Sequence, residues 1–160
     1  MSFWKKIFGF KESSCCGCCC SSPENKNNPL NFTKEDLLIL KNIDKRIVIG
    51  KVLEVVSHPD PEITKVRVTK TDIGNGKIEQ ILCGGTNVCA GIIVAVATVG
   101  AKLSEDFEIG IRSIRGIESR GMICARSELN LSPAGEQKGE IWILPENLEA
   151  KLGTPLRNIL

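Results

Sequence analysis

The chain has 160 residues, and its 42% hydrophobic and 25% charged residues are typical of a soluble globular protein of one ordinary domain. The formal net charge of +2 excludes a protein that attracts nucleic acids through its overall charge, so any site for a polyanion must be a local patch. No apolar run is long enough to span a bilayer, and the N-terminal residues lack the apolar stretch and cleavage site of a secretory signal. We therefore expect a cytoplasmic protein.

Residues 1–31 are predicted to form a flexible tail and linker ahead of the ordered part of the chain. Four of the seven aromatic residues fall within residues 1–10, around Lys5 and Lys6. As a helix, this segment would gather them on one side, which suits a membrane surface or a partner's groove; the alternative is a flexible tail without a binding role. Residues 21–31 are rich in Ser, Pro and Asn, as linkers are.

The tail contains the run CCGCCC, which holds five of the eight cysteines of the chain. Two pairs within it have the C-x-x-C spacing, but no second distant pair and no nearby histidine completes a tetrahedral zinc site. Three uses stay open: a thiolate cluster for a soft metal ion such as Cu(I), thiol–disulfide exchange, and attachment of acyl groups. The candidate metal ligands are Cys15, Cys16, Cys18, Cys19 and Cys20. No other cofactor is expected.

A helix is predicted directly after the linker, within residues 32–46. Thr33 can cap its N-terminus, and two acidic residues would then lie in the positively polarised first turn. With the helix running over Lys34–Ile43, Leu37, Leu40 and Ile43 face inward. We therefore expect this helix to pack on the domain that follows.

From residue 47 onward the sequence changes to the pattern of β-strands, rich in Val and Ile and punctuated by glycine. Strands are predicted at Ile47–Val56, Lys65–Ile73, Ile78–Cys83, Ile92–Val99, Glu108–Ile114, Gly121–Ala125 and Ile141–Leu144. The run Gly74-Asn75-Gly76 tolerates the positive φ angles of a hairpin turn, and a short helix is predicted near Ser127–Leu131. This pattern indicates an all-β domain with minor α structure over residues 47–160, in the form of a closed or partly open β-barrel.

A cluster of basic residues lies within residues 112–129, RSIRGIESRGMICARSEL, which contain four arginines and two glycines. The arginines create a local positive field, and the glycines allow the backbone to bend closely around a ligand. The alternative is that the arginines point to solvent from ordinary strands while apolar residues between them fill a core. Those apolar residues are Ile114, Ile117, Met122 and Ile123.

Other residues that could carry chemistry have simpler explanations. The single histidine lies in His58-Pro59-Asp60-Pro61, which we interpret as a turn that shapes the barrel, because no nucleophile or oriented carboxylate is evident beside it. Three dispersed cysteines, Cys83, Cys89 and Cys124, lie in or beside apolar runs and are expected to be buried. No metal-binding or phosphate-loop motif appears, so we predict that the chain is not an enzyme.

Five pieces of the sequence, taken in order, match a known domain. They are VIGKVLEVVSHPDPEITKVRV, ILCGGTNV, VGAKL, IRGIESRGMICARSEL and GEIWILPE. The run from Val48 to the C-terminus resembles the tRNA-binding domain, an oligonucleotide-binding (OB) fold related to endothelial monocyte-activating polypeptide II. GMICARSEL resembles the version in the phenylalanyl-tRNA synthetase β subunit, although Gly85-Thr86 replaces the usual Ala-Pro of that version and Asn130 replaces a glycine. Because the chain is too short for a synthetase subunit, we expect a free-standing module.

The resemblance implies an OB-fold β-barrel that binds tRNA without catalysis, as a homodimer like its free-standing relatives, with an aminoacyl-tRNA synthetase as a further candidate partner. Recognition through backbone and shape agrees with the residues, because Phe107 and Trp142 are the only aromatic residues after residue 46. The candidate RNA-binding residues are Arg112, Arg115, Ser119, Arg120, Asn87, Lys65 and Arg67. For Asn87 the alternative is that it braces its own loop. The alternative function is a protein-interaction or synthetase-associated module whose Cys-rich tail binds a soft metal, acts in thiol redox or docks to a membrane.

Overall fold

The computed structural model describes residues 32–159, which are mostly antiparallel β-structure with few helices. Helix α1 spans Lys34–Asn42. The strands are β1 (Ile47–Ser57), β2 (Arg67–Asp72), β3 (Ile78–Cys83), β4 (Ile93–Ala97), β5 (Lys102–Ser104), β6 (Phe107–Glu108), β7 (Arg112–Ile114), β8 (Ile117–Ser119), β9 (Met122–Ile123) and β10 (Ile143–Leu144). Short 3₁₀ helices lie at Ser127–Leu129, Glu146–Lys151 and Leu156–Asn158. The prediction of an all-β fold with minor α structure is confirmed, and the architecture is consistent with an OB-like fold.

β1 is a long strand that is shared between two halves of the main sheet. Residues 47–51 pair with β4 and residues 51–57 pair with β2, with a register shift between Val52 and Glu54. The sheet order is β10-β4-β1-β2-β3, every neighbour is antiparallel, and β9 also pairs with β4. At the end of β8, the Arg120 amide donates to the Gln80 carbonyl of β3 at 2.8 Å. Because the chain then continues into β9 on β4, the sheet curls back towards itself.

The core consists of two groups of buried apolar side chains that meet at β4. All five residues of β4 are buried, and successive side chains of a strand point to opposite faces. The odd-numbered residues therefore join one group, which reaches Leu40 of α1 and Leu156 near the C-terminus. The even-numbered residues join the other group, together with Val52, Ile81 and Ile123. Because Leu40 belongs to the first group, α1 packs on the barrel as part of the same domain.

α1 begins where the sequence predicts. The Thr33 hydroxyl accepts a hydrogen bond from the Asp36 amide at 3.1 Å, and the Asp36 carboxylate accepts one from the Thr33 amide at 2.9 Å. These two bonds form a capping box. Leu40 is fully buried and Leu37 is half-buried, but Asp36 is buried as well, which the sequence does not predict. Within residues 32–159, no helix combines the length and apolar character that crossing a bilayer requires.

The prediction of one continuous strand at Glu108–Ile114 is wrong, because β6 and β7 are separated there by residues 109–111. The Ile109 amide donates to the Ala101 carbonyl at 2.8 Å, and the Ile109 carbonyl accepts from the Gly100 amide at 2.7 Å. Ile109 is therefore hydrogen-bonded to the turn before β5. Residues 108–114 do not form one continuous strand for this reason. Nothing in the sequence pattern predicts β5 or β8, because three residues are too few to show alternation.

Candidate nucleic-acid interface

β7 and β8 form a hairpin whose tip carries an arginine. Ile114 pairs with Ile117, so the turn consists of Arg115 and Gly116. Both turn residues have positive φ angles, 50° and 82°, as a type I′ turn requires. Glycine adopts this backbone freely, whereas arginine rarely does. The hairpin thus presents the Arg115 side chain at an exposed tip, at some cost in backbone strain.

The histidine is one of the residues that attach the hairpin to the rest of the domain. His58 is buried, and its Nδ1 accepts a hydrogen bond from the Asp60 amide at 3.0 Å. Its Nε2 therefore carries the hydrogen and donates to the Ile114 carbonyl at 2.9 Å. The segment forms a turn, as the sequence predicts. Its effect on the shape of the barrel stays a prediction. The histidine fixes the loop of residues 58–62 beside the hairpin tip.

Two exposed arginines of this region are paired with carboxylates. The Arg115 guanidinium lies 3.2 Å from the Glu62 carboxylate and 3.8 Å from that of Asp60. Arg120 forms an ion pair with Glu118. The arginine side chains are nevertheless 58% and 50% exposed, and exposed ion pairs contribute only about 0–1 kcal/mol. A phosphate group can therefore replace these carboxylates at small cost.

The other predicted cations differ in how they are held. The Arg112 guanidinium carbon lies 5.5 Å from the centre of the exposed Phe107 ring, a cation–π contact at the surface. Arg67 is half-buried and donates to the Val88 carbonyl at 3.1 Å. Lys65 is exposed but precedes β2, which begins at Arg67. The strand predicted at Lys65–Ile73 therefore begins two residues later than expected, and Lys65 lies outside it.

Ser119 and Asn87 use their polar atoms inside the fold. Ser119 is buried, and its hydroxyl accepts from the Leu82 amide at 2.9 Å and donates to the Gly121 carbonyl at 3.2 Å. Asn87 donates to the Ile141 carbonyl at 3.0 Å and accepts from the Ile141 amide at 2.8 Å. Ser119 therefore joins β8 to β3, and Asn87 braces its own loop against the segment before β10. Contact of either residue with RNA stays a prediction.

Arg126, the fourth arginine of the basic segment, is buried. Its guanidinium carbon lies 5.2 Å from the centre of the Phe32 ring and 5.0 Å from that of Trp142. It also pairs with the Asp36 carboxylate at 3.5 Å. Burial lowers the pKa of Arg126, while the charges of Asp36 and Glu136 oppose that shift. This arginine ties α1 to the barrel, a role that sequence reasoning missed because its partners are far away in the sequence.

The Asp36 carboxylate is the other half of this junction. It accepts hydrogen bonds from the Ser132 amide at 2.7 Å and from the Ser132 hydroxyl, in addition to the one from Thr33. Burial raises the pKa of Asp36, but the hydrogen bonds from Ser132 and Thr33 outweigh it and lower the pKa to about 2. The carboxylate is therefore ionised beside Arg126 at neutral pH.

The cysteines of the barrel are buried, as predicted. Cys83, Cys89 and Cys124 are free thiols with little exposed surface. Burial raises the pKa of Cys83, and it raises the pKa of Cys124 to about 12. Within residues 32–159, no group of three or more His, Cys, Asp or Glu side chains is placed to hold a metal ion. The predicted ligands at residues 15–20 lie outside the described residues.

Comparison with known sequences assigns the family. The model of the family described as "Putative tRNA binding domain" matches residues 47–155 of this chain. The chain belongs to the tRNA-binding domain family. The resemblance that the sequence motifs indicate is therefore confirmed, and the match includes both the hairpin and the loop that holds it.

The tRNA-binding domain is also similar to part of several synthetase subunits. It is 45% identical over 118 residues to the phenylalanine–tRNA ligase beta subunit of Burkholderia pseudomallei, covering 70% of this chain and 13% of that protein. The corresponding protein of Chlorobaculum tepidum is 39% identical over 135 residues, covering 82% of this chain and 16% of that protein. That of Wolinella succinogenes is 48% identical over 112 residues, covering 69% and 14%. The chain thus spans only 13–16% of the length of these relatives.

A solved structure also matches part of the tRNA-binding domain. It is the C-terminal domain of Plasmodium vivax p43, which is 27% identical with a TM-score of 0.36, over 49% of this chain and 46% of that one.

The departures of this tRNA-binding domain from the phenylalanyl version fit its local structure. The Thr86 amide donates to the Gly139 carbonyl at 3.0 Å, a bond that proline could not form. A Cβ atom on Gly85 would lie 2.7 Å from Cγ2 of Ile141. Asn130 has a left-handed backbone with φ of 60°, which asparagine tolerates better than most residues other than glycine. These substitutions are therefore compatible with the fold.

Proposed function

We propose that this chain is a non-catalytic tRNA-binding module that recognises folded tRNA through its backbone and shape. The surface that carries the proposal comprises Arg112, Arg115 and Arg120, which we call the hairpin surface. Its three guanidinium groups are exposed on β7, on the turn and directly after β8, in a chain that belongs to the tRNA-binding domain family. Arginine forms paired hydrogen bonds with phosphate oxygens, so such a surface suits an RNA backbone.

The arrangement of the aromatic residues supports backbone recognition over base stacking. Phe32 and Trp142 pack edge to face at 5.9 Å and also contact the buried Arg126. Phe107, the remaining aromatic residue among residues 32–159, is 38% exposed and lies under Arg112. Binding of single strands by stacking uses several exposed rings in a groove. Folded RNA offers phosphates and 2′-hydroxyl groups, which arginines can contact.

In the absence of RNA, nearby carboxylates form ion pairs with two of the three arginines of this surface. Asp60 and Glu62 orient Arg115, and Glu118 orients Arg120. On binding, RNA phosphates would replace the carboxylates as partners of these guanidinium groups, and water would solvate the carboxylates. Such an exchange gives modest affinity, because each phosphate contact replaces an intramolecular ion pair. The affinity should fall with salt, because phosphate contacts release counterions from the RNA.

A salt titration of tRNA binding tests the proposal. Replacement of Arg115 and Arg120 by Ala is expected to weaken binding of different tRNAs to a similar degree. It should also lower the slope of log Kd against log salt by roughly 1.5 units, because each phosphate contact contributes about 0.7–0.9 unit. The matched control is Lys70→Ala with Lys77→Ala, which removes two exposed cations that are also paired with carboxylates. The control should keep the slope of the unaltered chain.

Two results would contradict the proposal. An equal slope in the arginine variant and the lysine control would mean that the hairpin surface does not contact phosphate. Preference for single-stranded RNA over folded tRNA in competition would contradict recognition by shape.

A second candidate function is a module that docks on an aminoacyl-tRNA synthetase or on a second copy of itself. The observation that favours it is the neutralised charge: residues 47–160 contain 13 basic and 14 acidic residues, and two arginines of the hairpin surface are ion-paired. This candidate predicts a stable complex with a purified synthetase, or a dimer in sedimentation equilibrium, that persists when tRNA binding is lost. Absence of both assemblies at micromolar concentration would exclude it.

A further inference from the structure

A second group of basic residues lies at the end of the domain that holds α1. The group comprises Lys34, Lys41, Lys45, Arg46 and Arg157, and we call it the α1 basic end. All five side chains are exposed. The last 3₁₀ helix, which carries Arg157, packs against α1, and their buried leucines share one core. The group is therefore local in space although it comes from both ends of the described chain.

The geometry of α1 turns its lysines towards solvent. Asp36 and Leu40 lie on the buried face of the helix. Lys34 and Lys41 are seven positions apart, so they lie on one exposed face about 10 Å apart along the axis. Leu38 lies between them on that face and is 62% exposed. The outer face of α1 therefore presents two cations with one apolar side chain between them.

Two of the three acidic residues of this segment, Asp36 and Asp44, accept hydrogen bonds from other parts of the fold. The Asp36 carboxylate is buried against Ser132 and Arg126. The Asp44 carboxylate accepts from the Arg46 amide at 2.8 Å and from the Lys102 amide at 3.0 Å. Only Glu35 of residues 32–46 therefore keeps its carboxylate at the surface without such bonds among the described residues. The five cations of the α1 basic end thus face the charges of Glu35 and of Asp44, which Lys45 and Arg46 help to keep ionised, and the group remains net positive.

The ion pairs of the described residues distinguish this end from the hairpin surface. Among residues 32–159, no carboxylate lies within 4.0 Å of a charged nitrogen of the α1 basic end. Arg46 donates to the Gly100 carbonyl at 2.6 Å, which leaves its charge intact. Arg115 and Arg120, by contrast, both have carboxylate partners. The cations of the α1 basic end therefore lose no ion pair with a carboxylate of the described residues when they bind phosphate.

We propose that the α1 basic end is a second polyanion-binding surface, which contacts the phosphate backbone of the RNA that the hairpin surface binds. The inference rests on the proposed function, because the ligand is the same tRNA. Charge complementarity selects this ligand: the patch offers five cations that can each release a counterion from the RNA. One exposed leucine is ordinary for a protein surface and does not amount to an apolar docking site.

The test compares two variants of the full chain that lose the same net charge. The first carries Lys34→Gln, Lys41→Gln and Lys45→Gln; the control carries Lys70→Gln, Lys77→Gln and Lys138→Gln, which are exposed lysines elsewhere. The first variant is expected to bind mixed tRNA about tenfold more weakly at 0.1 M salt, with a slope lower by roughly two units, because three phosphate contacts are lost. The control should bind within about twofold of the unaltered chain. Equal thermal midpoints of the two variants show that neither is misfolded.

The outcomes separate this inference from the proposed function. If the unaltered chain does not bind tRNA even at low salt, the proposed function fails and the inference fails with it. If the unaltered chain binds and the two lysine variants bind equally well, only the inference is overturned. If the first variant keeps its tRNA affinity but loses binding to phosphatidylserine vesicles, the surface serves an anionic lipid and the inference is again overturned.

Discussion

Arg115 and Arg126 belong to one short basic segment, yet they lie in opposite environments. Arg115 is at an exposed hairpin tip beside two surface carboxylates. Arg126 is 2% exposed and lies against two aromatic rings and a buried carboxylate. The difference shows that the neighbours of an arginine decide whether it stabilises the fold or is available to a ligand.

The buried junction should therefore control stability, and the hairpin surface should control binding. Removing one partner of a buried ion pair leaves an uncompensated charge in the protein interior. Removing an exposed arginine leaves carboxylates that water can solvate. Three changes test this division, and each acts on one side of the comparison.

The largest effect is expected for Arg126→Ala. The substitution leaves Asp36 without its charge partner and removes the guanidinium group that contacts the rings of Phe32 and Trp142. We expect the free energy of unfolding to fall by about 3–5 kcal/mol, as for other broken buried pairs. Urea unfolding followed by tryptophan fluorescence measures this change. Arg112→Ala, which removes a surface cation–π contact, is the control and should cost less than about 1 kcal/mol. Equal losses of unfolding free energy in the two variants would contradict the division between a stabilising buried arginine and exposed arginines that contribute little to stability.

The next effect is a dependence of stability on acid. The pKa of Asp36 is lowered from its ordinary value of 3.8 to about 2 in the folded protein. A lowered pKa means that its stabilisation is complete above pH 3.8 and is lost as the pH falls towards 2. The loss amounts to about 2 kcal/mol.

Asp36→Asn isolates this contribution, because asparagine does not titrate. The variant should be less stable than the unaltered chain at pH 6, and the difference between them should shrink by about 2 kcal/mol by pH 2. Asp106→Asn, at an exposed turn, serves as the control and should keep the acid dependence of the unaltered chain. A constant difference between Asp36→Asn and the unaltered chain across this range would show that the buried carboxylate does not carry the dependence.

The smallest effect concerns the exposed side of the comparison. Replacing Asp60 and Glu62 by Asn and Gln removes the carboxylates that compete with phosphate for Arg115. We expect tRNA affinity to rise about threefold to tenfold at 0.1 M salt, with little change in stability, because exposed ion pairs contribute about 0–1 kcal/mol each. Glu105→Gln with Glu146→Gln changes the net charge equally at exposed sites elsewhere. The same gain in that control would attribute the effect to net charge alone.

The division between buried and exposed arginines could be predicted only in part. Local patterns give β3 at Ile78–Cys83 as predicted, and they give the capping of α1 by Thr33. They cannot show that Arg126 lies against the rings of Phe32 and Trp142, because those rings come from distant parts of the sequence. The same holds for Arg115, whose carboxylate partner Glu62 is 53 positions away.

The break between β6 and β7 has a similar origin. Residues 108–114 have a strand-like composition, but Ile109 pairs with the backbone of residues 100–101 and interrupts the run. Local sequence therefore predicts most elements of the main sheet, whereas long-range contacts decide which side chains of the basic segment reach solvent.

The histidine beneath the hairpin offers a practical advantage for studying this protein in solution. The sequence contains one histidine, and its two ring nitrogens bond to the backbone of the hairpin and of the neighbouring loop. In a uniformly ¹⁵N-labelled sample, the imidazole signals thus come from a single site and need no assignment by mutagenesis. The chemical shifts of the His58 ring nitrogens therefore report on the edge of the hairpin surface. A change in these shifts on addition of a ligand would show that the environment of the hairpin changes.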